Sequence, residues 1–568
     1  MAAGRASFEV QALRDDRWVA EDLRETESAA RAAAKATFAK GQCQGIRIVK
    51  NWLRADGIMT ETVIFTETRE PEPPQVTIVP ISTAPFCHRT EEYYRLESRI
   101  TINRLFRKYI EKMCLTPTEL IHNYRALKKI QEVDTLFPAA VDRVATLQAR
   151  ISGDEPRMRR DEVFTAVAQM AQKARRAEEN TRLPQLKGIG FDKVIHRIER
   201  IVPPEEVEYY ALVVLCRDLV ERRNWLGKLE RLAELARPEV RGNVLSLVDG
   251  VVADVVGVPT ALQDILGYQR NLAQALCSIA DLWEGCFNSE RSDAHEQITV
   301  FGPYLADGRL ESTRRALMER LLRQLSSVQP LDRHEPGRER DAFRQVAGRL
   351  FRPNGFLGGP ATAAALTRRF SLLLEGGGPA ALRQSVAGVA AAMPDRQFRF
   401  VYLAELAASE LGGELIPAIL AQFREEMNVS TLEALVPQGL PPKGKLMQAT
   451  GLYNTVVDAS AVPESDRVAL LMRLDQLLSQ YLQRSGIVEK LDDPNAPLRD
   501  RATRLVQFCA AAILPAQSHA LQWTRERVIS LLRQPDFDMR FIEGIVDLQQ
   551  SEEALRNFHA LLVRAGFQ

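Results

Sequence analysis

The sequence predicts a mainly α-helical protein that begins with a small ββαββ module and continues as an irregular multi-helical array in two lobes. Three observations support this fold class. Residues 8–66 alternate apolar and polar side chains as a sheet does, residues 71–85 are rich in proline, and the chain after Arg89 has helical periodicity. At 568 residues the chain exceeds the ~250–300 at which a single core stops growing, so several domains or an α-solenoid-like array are expected.

The first 68 residues are expected to form the α/β module. Four short alternating runs predict two hairpins, and these runs are residues 8–13, 17–23, 45–53 and 58–65. Between the hairpins, residues 25–40 are rich in Ala, Glu, Arg and Lys with an apolar stripe, and Gly41 suits the position after a helix end. A module of roughly 65 residues is near the lower size limit for independent stability, so we expect it to dock on a neighbour or to pair as a homodimer.

Two linkers are expected to divide the rest of the chain. Residues 69–88 form a proline-rich linker, in which 76–81 is expected to be an extended segment lying against one of the domains. Residues 330–340 are charged and contain two prolines, which predicts a second linker. The lobes on its two sides are then an N-terminal helical lobe at 89–329 and a C-terminal one at 341–568.

Several helix starts are marked by capping residues. Thr116-Pro117-Thr118-Glu119 has a cap, proline at N1 and glutamate at N3, which is the capping-box pattern. Ser465 and Ser551 are expected to cap later helices. The first of these precedes an expected apolar stripe of Val468, Leu471, Leu474, Leu478 and Tyr481. No fixed repeat period recurs, which favours an irregular helical array over a named repeat family.

Composition limits the classes of protein. Hydrophobic residues make up 45% and charged residues 26%, as in ordinary globular proteins, and the net charge of +1 implies no chain-wide attraction to nucleic acid. The chain shows no secretory leader and no apolar run of the ~18 residues that span a bilayer. Its seven cysteines are scattered, which favours reduced thiols in a cytoplasm. The abundance of Ala, Arg and Leu is compatible with a bacterial source.

One segment has the spacing of a phosphate-binding loop. Gly439 to Lys445 matches GxxxxGK, in which backbone amides hold phosphates and the lysine reaches the outer ones. However, Leu446 stands where a magnesium-binding hydroxyl is needed, and two prolines remove amide donors. We interpret the segment as an interhelical loop. Two glycine-rich segments, at 354–359 and 376–379, are likewise interpreted as helix connections.

No linear motif for catalysis, a cofactor or a metal is found. The histidines supply no HExxH, and no serine lies in GxSxG. Cys87 and His88, taken together with Cys114 and His122, are the one combination with thiolate–imidazole chemistry. A structural role for all four is the expectation, so we predict no catalytic, cofactor-binding or metal-binding residues.

Charge gives the clearest functional hint. Residues 89–132 carry ten Lys or Arg against six acids, and residues 157–200 carry eleven against six. These basic helices could follow a phosphate backbone, or pair with their own acids. The candidate basic surface consists of Arg104, Arg107, Lys108, Lys112, Arg125, Lys128, Lys129, Arg157, Arg159, Arg160, Lys173, Arg175 and Arg176.

Three functions remain open from the sequence. The leading hypothesis is a cytoplasmic, non-enzymatic scaffold or regulatory adaptor that binds partner proteins through helical surfaces, with the N-terminal module for docking, dimerisation or sensing. Its candidate interface residues are Trp52 and Trp225, because aromatic side chains dominate binding hot spots. For Trp52, a place with Trp18 in the core of the small module is the favoured alternative. The alternatives are nucleic-acid binding through residues 89–200 and an all-helical enzyme without a linear motif. A pocket that gathers several acidic, His or Arg side chains would favour the enzyme.

Overall fold

The computed structural model describes residues 6–14, 17–40, 43, 45–53, 59–68, 77–133, 135–237, 242–290, 292–352, 355–374 and 377–567. The chain divides into two compact units, an N-terminal unit (Met1–Val79) and a helical unit (Pro80–Gln568). The predicted fold class is confirmed, because a four-stranded antiparallel sheet is followed by many helices. The boundaries predicted inside the helical part are not tested by this division and stay a prediction.

The N-terminal unit is a sheet with one helix. Its elements are β1 (Ala6–Arg14), β2 (Arg17–Arg24), α1 (Glu27–Ala39), β3 (Gly45–Leu53) and β4 (Met59–Thr68). The strands pair in the antiparallel order β2-β1-β3-β4, so β1 and β3 occupy the centre. Residue Thr26 caps α1, since its hydroxyl accepts from the amide of Ala29 at 3.3 Å. Gly41 and the residues at 15–16 and 54–58, where the turns were predicted, lie outside the described residues.

The alternation of β1 and β3 sorts their side chains onto two faces. On one face Phe8, Val10, Ala12, Ile46 and Ile48 pack with Ala30 and Ala34 of α1 and form the core of the unit. On the other face Arg47 donates from Nε to Gln11 at 2.7 Å, and Gln11 donates to Glu9 at 3.0 Å. One face of the sheet therefore provides the apolar core, while the other carries a hydrogen-bonded polar chain.

The first half of the helical unit contains fourteen described α-helices. They are α2 (Leu96–Leu105), α3 (Arg107–Met113), α4 (Pro117–His122), α5 (Tyr124–Gln131), α6 (Leu136–Ser152), α7 (Pro156–Glu179), α8 (Phe191–Ile198), α9 (Val207–Leu219), α10 (Trp225–Leu235), α11 (Gly242–Gly257), α12 (Pro259–Leu266), α13 (Leu272–Trp283), α14 (His295–Ala306) and α15 (Glu311–Leu325). Short 3-10 helices lie at Thr90–Tyr94 and Pro204–Glu206. Residues Ala211–Cys216 of α9 are all buried and belong to the core.

The second half begins with a third 3-10 helix, Pro336–Arg338, and has a small hairpin of β5 (Phe351–Arg352) and β6 (Gly355–Phe356). Its described helices are α16 (Glu339–Leu350), α17 (Pro360–Ser371), α18 (Gly378–Ala392), α19 (Arg396–Ala407), α20 (Gly412–Glu426), α21 (Leu432–Leu435), α22 (Pro442–Asp458), α23 (Glu464–Ser485), α24 (Ile487–Leu491), α25 (Leu498–Ala510), α26 (His519–Leu532), α27 (Phe537–Phe541) and α28 (Leu548–Arg564). Chain neighbours such as α17 and α18, α22 and α23, and α25 and α26 pack together.

Helices also pack across the predicted linker at 330–340. α13 contacts α16, and α15 contacts α17. The fully buried Arg369 of α17 donates from Nε to the carbonyl of Leu325 at 2.8 Å and from Nη1 to that of Gln329 at 2.6 Å. A charged guanidinium thus occupies the carbonyl-rich C-terminal end of α15, where a cation is favoured.

The predicted capping box is confirmed, whereas two other predicted caps are wrong. Thr116 Oγ1 accepts from the amide of Glu119 at 3.1 Å, and the Glu119 carboxylate accepts from the amide of Thr116 at 2.7 Å. α28 begins at Leu548 because Asp547 already caps it, so Ser551 lies inside the first turn. α23 likewise begins before Ser465, with Pro463 at its N-cap. Its buried stripe is Leu470, Leu474, Leu477, Leu478 and Tyr481, and Val468 is exposed.

Two buried carboxylates of α11 hold the starts of other helices. Asp254 accepts from the amide of Thr118 at 2.8 Å at the start of α4, and Asp249 accepts from the amide of Thr313 at 2.9 Å at the start of α15. Carboxylates are favoured at helix N-termini because the free amides there are positive. Arg99 of α2 pairs with Asp254 at 3.6 Å, and Gly250 makes room for its guanidinium, since a Cβ there would lie 3.3 Å from Nη2.

A second buried charge pair joins α4 to α10. Glu119 and Lys228 are both fully buried, and the Lys228 ammonium donates to Glu119 Oε1 and, at 3.2 Å, to the carbonyl of Leu219. Because neither charge reaches water, each depends on the other for its stability.

The Lys228→Met substitution tests this dependence. It leaves the Glu119 charge buried without a partner, so we expect the free energy of unfolding of the helical unit to fall by about 3–5 kcal/mol. The double variant Glu119→Gln/Lys228→Met keeps the cap of α4 but removes both charges, and should recover at least half of the loss. Urea titration of the three proteins measures this, and a double variant as unstable as the single one would contradict the argument.

Candidate functional site

An extended segment, residues 80–89, lies against α6 and α7 and is called the strap here. The strap has no regular structure, but its side chains Ile81, Ala84 and Cys87 are buried. Its carbonyls are held by side chains of α6: Arg143 donates to Ile81 from Nε at 2.8 Å, and Gln148 donates to Pro85 at 2.6 Å. The sequence predicts an extended segment at 76–81 that packs on a domain; of this range, Pro80 and Ile81 belong to the strap, and Ile81 is buried.

Arg159 of α7 fixes the other end of the strap. Its side chain is only 5% exposed. The guanidinium donates to the carbonyl of Cys87, to Gln148 Oε1 at 2.9 Å and to the carboxylate of Glu162, and it lies 4.3 Å from the ring centroid of Phe86. A single buried cation thus connects the strap, α6 and α7 through charge-assisted hydrogen bonds.

A polar cleft of about 880 Å³ opens between the strap and α7. Its walls come from the strap, the 3-10 helix that follows it, the end of α6 and the first half of α7. They carry both signs of charge and some apolar surface, from Phe86, His88, Arg89, Thr90, Tyr93, Ile151, Asp154, Arg159, Asp161, Glu162, Thr165 and Gln169. The volume lies in the range of ligand-binding sites in proteins.

A separate apolar cavity of about 90 Å³ lies inside the helices behind the strap. Side chains of α2, α4, α5, α6 and α7 line it, and the buried aliphatic ones include Leu105, Ile121, Ile130, Val141, Val163 and Met170. An empty cavity destabilises a core by roughly 24 cal/mol per Å³, which is about 2 kcal/mol here. Protein interiors are otherwise close-packed, so a void of this size is notable.

Cys87 and Tyr93 line both the cleft and the cavity. Burial raises the pKa of the Cys87 thiol above its ordinary value, and a hydrogen bond with Ser98, whose Oγ lies 3.5 Å from Sγ, offsets this only in part. Burial also raises the pKa of Tyr93. Both groups therefore stay neutral at physiological pH and form an uncharged wall between the two spaces.

The four residues with thiolate–imidazole chemistry are not brought together. His88 lies edge-on to Phe86, with 4.6 Å between the ring centroids. His122, which belongs to α4, packs between the rings of Tyr94 and Tyr209. In the part of the chain that the structure describes, no group of three or more His, Cys, Asp or Glu could hold a metal ion.

Acidic side chains pair with about half of the candidate basic surface. Arg159 is buried, which corrects its assignment to a surface. Of the other twelve candidate basic residues, six have a carboxylate oxygen within 4.0 Å: Arg104, Arg125, Lys128, Arg160, Lys173 and Arg175. Arg107, Lys108, Lys112, Lys129, Arg157 and Arg176 remain, spread over α3, α5 and α7. Of the six pairs, those of Lys128 and Arg175 lie within one helix, counting its C-cap residue, whereas the other four join different elements.

The two candidate interface tryptophans differ. Trp225 is the first residue of α10 and is only 7% exposed, so its assignment to an exposed interface is corrected. It is buried because Leu229 and Leu232 lie on the same face of the helix. Trp52 is 39% exposed, and Lys50 Nζ lies 5.0 Å from its ring centroid.

The glycine-rich segments are connections, as interpreted. Gly439 has a φ of +85° and precedes α22, whose N-cap is Pro441, and Lys445 lies in the first turn, 5.9 Å from the ring centroid of Tyr481. Gly377, with a φ of +57°, caps α18, and Pro379 lies in its first turn. Gly355 belongs to β6, while 353–354 and 375–376 lie outside the described residues.

Comparisons with models of protein families, with curated proteins and with solved structures find no match to this chain. Across the described ranges, no single helix is long and apolar enough to cross a membrane. α11 and α12 reach that length and composition only as a pair, bent by 94° at the break between them.

His122 gives the helical unit a pH dependence. It is 3% exposed, and Nδ1 donates to the carbonyl of Thr118 at 2.8 Å. Burial lowers the pKa of His122 to about 3, and the charges of Arg99 and Lys173 act in the same direction. The unfolded chain regains an ordinary pKa near 6.5. Acidification below about pH 6.5 therefore protonates only the unfolded state and removes stability.

The His122→Phe substitution should reduce this dependence while keeping an aromatic ring between the tyrosines. From pH 6.5 to pH 5 we expect the wild type to lose about 2 kcal/mol more unfolding free energy than the variant. Urea titrations at several pH values measure the difference. Parallel stability curves for the two proteins would show that His122 is not held neutral.

Proposed function

We propose that this chain is a scaffold or regulatory adaptor that binds partner proteins through its helical surfaces. The observation that supports it best is the cleft between the strap and α7. Its walls offer a cation at Arg89, carboxylates at Asp154 and Asp161, and apolar surface at Phe86 and Ile151. A polypeptide segment is a ligand of matching chemistry, because it supplies backbone polar groups and side chains of every kind at close spacing.

The N-terminal unit acts in this proposal as the docking, dimerising or sensing part. Large apolar side chains on its surface support that role, since Leu23 is 63%, Val63 50% and Trp52 39% exposed. The proposed location is the cytoplasm of a bacterial cell. All seven cysteines are free thiols, which is usual for proteins of reducing compartments.

The enzyme hypothesis has one observation in its favour. The cleft gathers His88, Arg89, Asp161 and Glu162, which is the kind of pocket that such an enzyme needs. Arg159 and Glu162, however, pair with each other, and the same Arg159 holds the strap. We therefore place partner binding first and keep catalysis, like nucleic-acid binding, as an outcome of the experiment.

Site-specific photo-crosslinking tests the proposal in the full chain. A benzophenone amino acid replaces Ile151, which lines the cleft and is 63% exposed, or Tyr268, which is 89% exposed and does not line it. After irradiation in the native cell, we expect one protein to be joined at position 151 and not at 268. The Thr165→Trp substitution, which fills the cleft from an exposed position of α7, should abolish that adduct.

Three results would contradict the adaptor proposal. Identical adducts at positions 151 and 268 would mean that the cleft has no partner of its own. An adduct that a nuclease digests, and whose yield falls steeply when salt is added before irradiation, would favour nucleic acid as the ligand. A captured molecule that carries a new covalent change would favour an enzyme.

A further inference from the structure

The apolar cavity adjoins the cleft at Cys87 and Tyr93, which line both spaces. Cys87 Sγ has only weak contacts, with Ser98 Oγ at 3.5 Å and the carbonyl of Pro85 at 3.9 Å. Tyr93 is partly exposed on the cleft side. On the far side, Met170 adds a flexible, polarisable side chain that adapts its shape to an occupant.

The polar side chains around the cavity have their partners elsewhere. Ser98 Oγ donates to the carbonyl of Glu92 at 2.8 Å, and Thr101 Oγ1 donates to that of Glu97 at 2.9 Å. Gln148 is shared between the carbonyl of Pro85 and Arg159. The wall of the cavity is therefore almost entirely apolar, which selects an apolar occupant and disfavours ordered water.

The cavity also sets the size of its occupant. An apolar cavity of ~150 Å³ admits benzene or xenon, so one of about 90 Å³ suits xenon or an aliphatic group of roughly four carbons. The side chain of leucine is an aliphatic group of this size, whereas the indole of tryptophan is too large for the cavity. The hot spots of protein interfaces are commonly side chains of the partner that fill a dry pocket.

We propose that this cavity is an anchor pocket for an aliphatic side chain, of leucine type, on the polypeptide that binds in the cleft. The side chain enters between Cys87 and Tyr93 while its backbone stays in the cleft. The inference rests on the proposed function of the cleft and adds the class of residue that the partner presents.

Methyl NMR of the full chain tests the pocket with probes of known chemistry. The protein carries ¹³C-methyl methionine, and the Met170 signal, assigned by Met170→Leu, is followed during titration with xenon and with the blocked amides of glycine, leucine and tryptophan. We expect saturable shifts with xenon and the leucine amide. The leucine amide should bind at least ~10-fold more tightly than the glycine or tryptophan amide, as is usual for the right apolar fit.

Two leucine substitutions on α6 provide the matched comparison. Ala140→Leu fills the cavity and should weaken binding of xenon and the leucine amide by ~10-fold or more, while its melting temperature stays at or above that of the wild type. Arg150→Leu places the same side chain at an exposed position and should leave binding unchanged.

Equal binding to wild type and Ala140→Leu, no shift with either probe, or equal affinity for the tryptophan amide would overturn the anchor pocket. The anchor pocket would also be overturned if the branched acid 4-methylpentanoate bound and the leucine amide did not, since the occupant would then be a free small molecule. The two proposals fail separately. A partner adduct at position 151 that persists in Ala140→Leu removes only the anchor pocket. Probe binding without any adduct removes the partner, and with it the partner's side chain as occupant, but leaves the size and chemistry of the cavity as inferred.

Discussion

The buried guanidinium of Arg159 connects the strap, α6 and α7, and Gln148 is a second polar side chain that contacts both the strap and Arg159. The guanidinium donates to the strap at the Cys87 carbonyl, to Gln148 of α6 and to Glu162 one turn along α7. Hydrogen bonds to charged groups are worth about 1.5–3 kcal/mol each, and a buried acceptor left without its donor adds a penalty. The strap has no helix or sheet hydrogen bonds of its own, so its position as the wall of both the cleft and the cavity depends on this cation, on Gln148 and on Arg143.

Buried ion pairs of α2 and α4 lie outside the lining of the apolar cavity. α2 and α4 are fixed at their outer sides by Arg99, Asp254, Glu119 and Lys228, whose pairs face α10 and α11. These pairs connect α2 to α11 and α4 to α10, while the lining from α2 and α4 towards α5, α6 and α7 is aliphatic and aromatic apart from Ser98 and Thr101.

The sequence predicts where helices and strands lie better than it predicts which of their faces are buried. The bounds of β3 agree with the alternating run at 45–53, and the capping box at Thr116 agrees as well, because both patterns are local. Arg159 was assigned to a basic surface by counting charges along the chain. Its spacing to Val163, Ala166 and Met170 places it on the buried stripe of α7. This helical spacing is the sequence signal that predicts the burial of Arg159.

Long-range features were beyond any local pattern. The cleft joins the strap to a helix about 70 residues later, and no spacing in the sequence relates Cys87 to Arg159. The error for Trp225 has the same origin as that for Arg159. Exposure was inferred from its aromatic residue type and not from its position on the apolar face of α10. The caps predicted at Ser465 and Ser551 failed since Pro463 and Asp547, a few residues earlier, already begin those helices.

The most direct measurement of this account is hydrogen exchange of the strap, followed by mass spectrometry in the full chain. Arg159→Met removes the buried cation, whereas Arg160→Met removes its exposed neighbour, which pairs with Asp142 at 2.9 Å. The loss of charge-assisted bonds worth ~1.5–3 kcal/mol corresponds to roughly tenfold or faster exchange in residues 81–88 of the first variant. The second variant should match the wild type. Unchanged exchange in Arg159→Met would show that the strap does not depend on Arg159, and would contradict the account of both spaces.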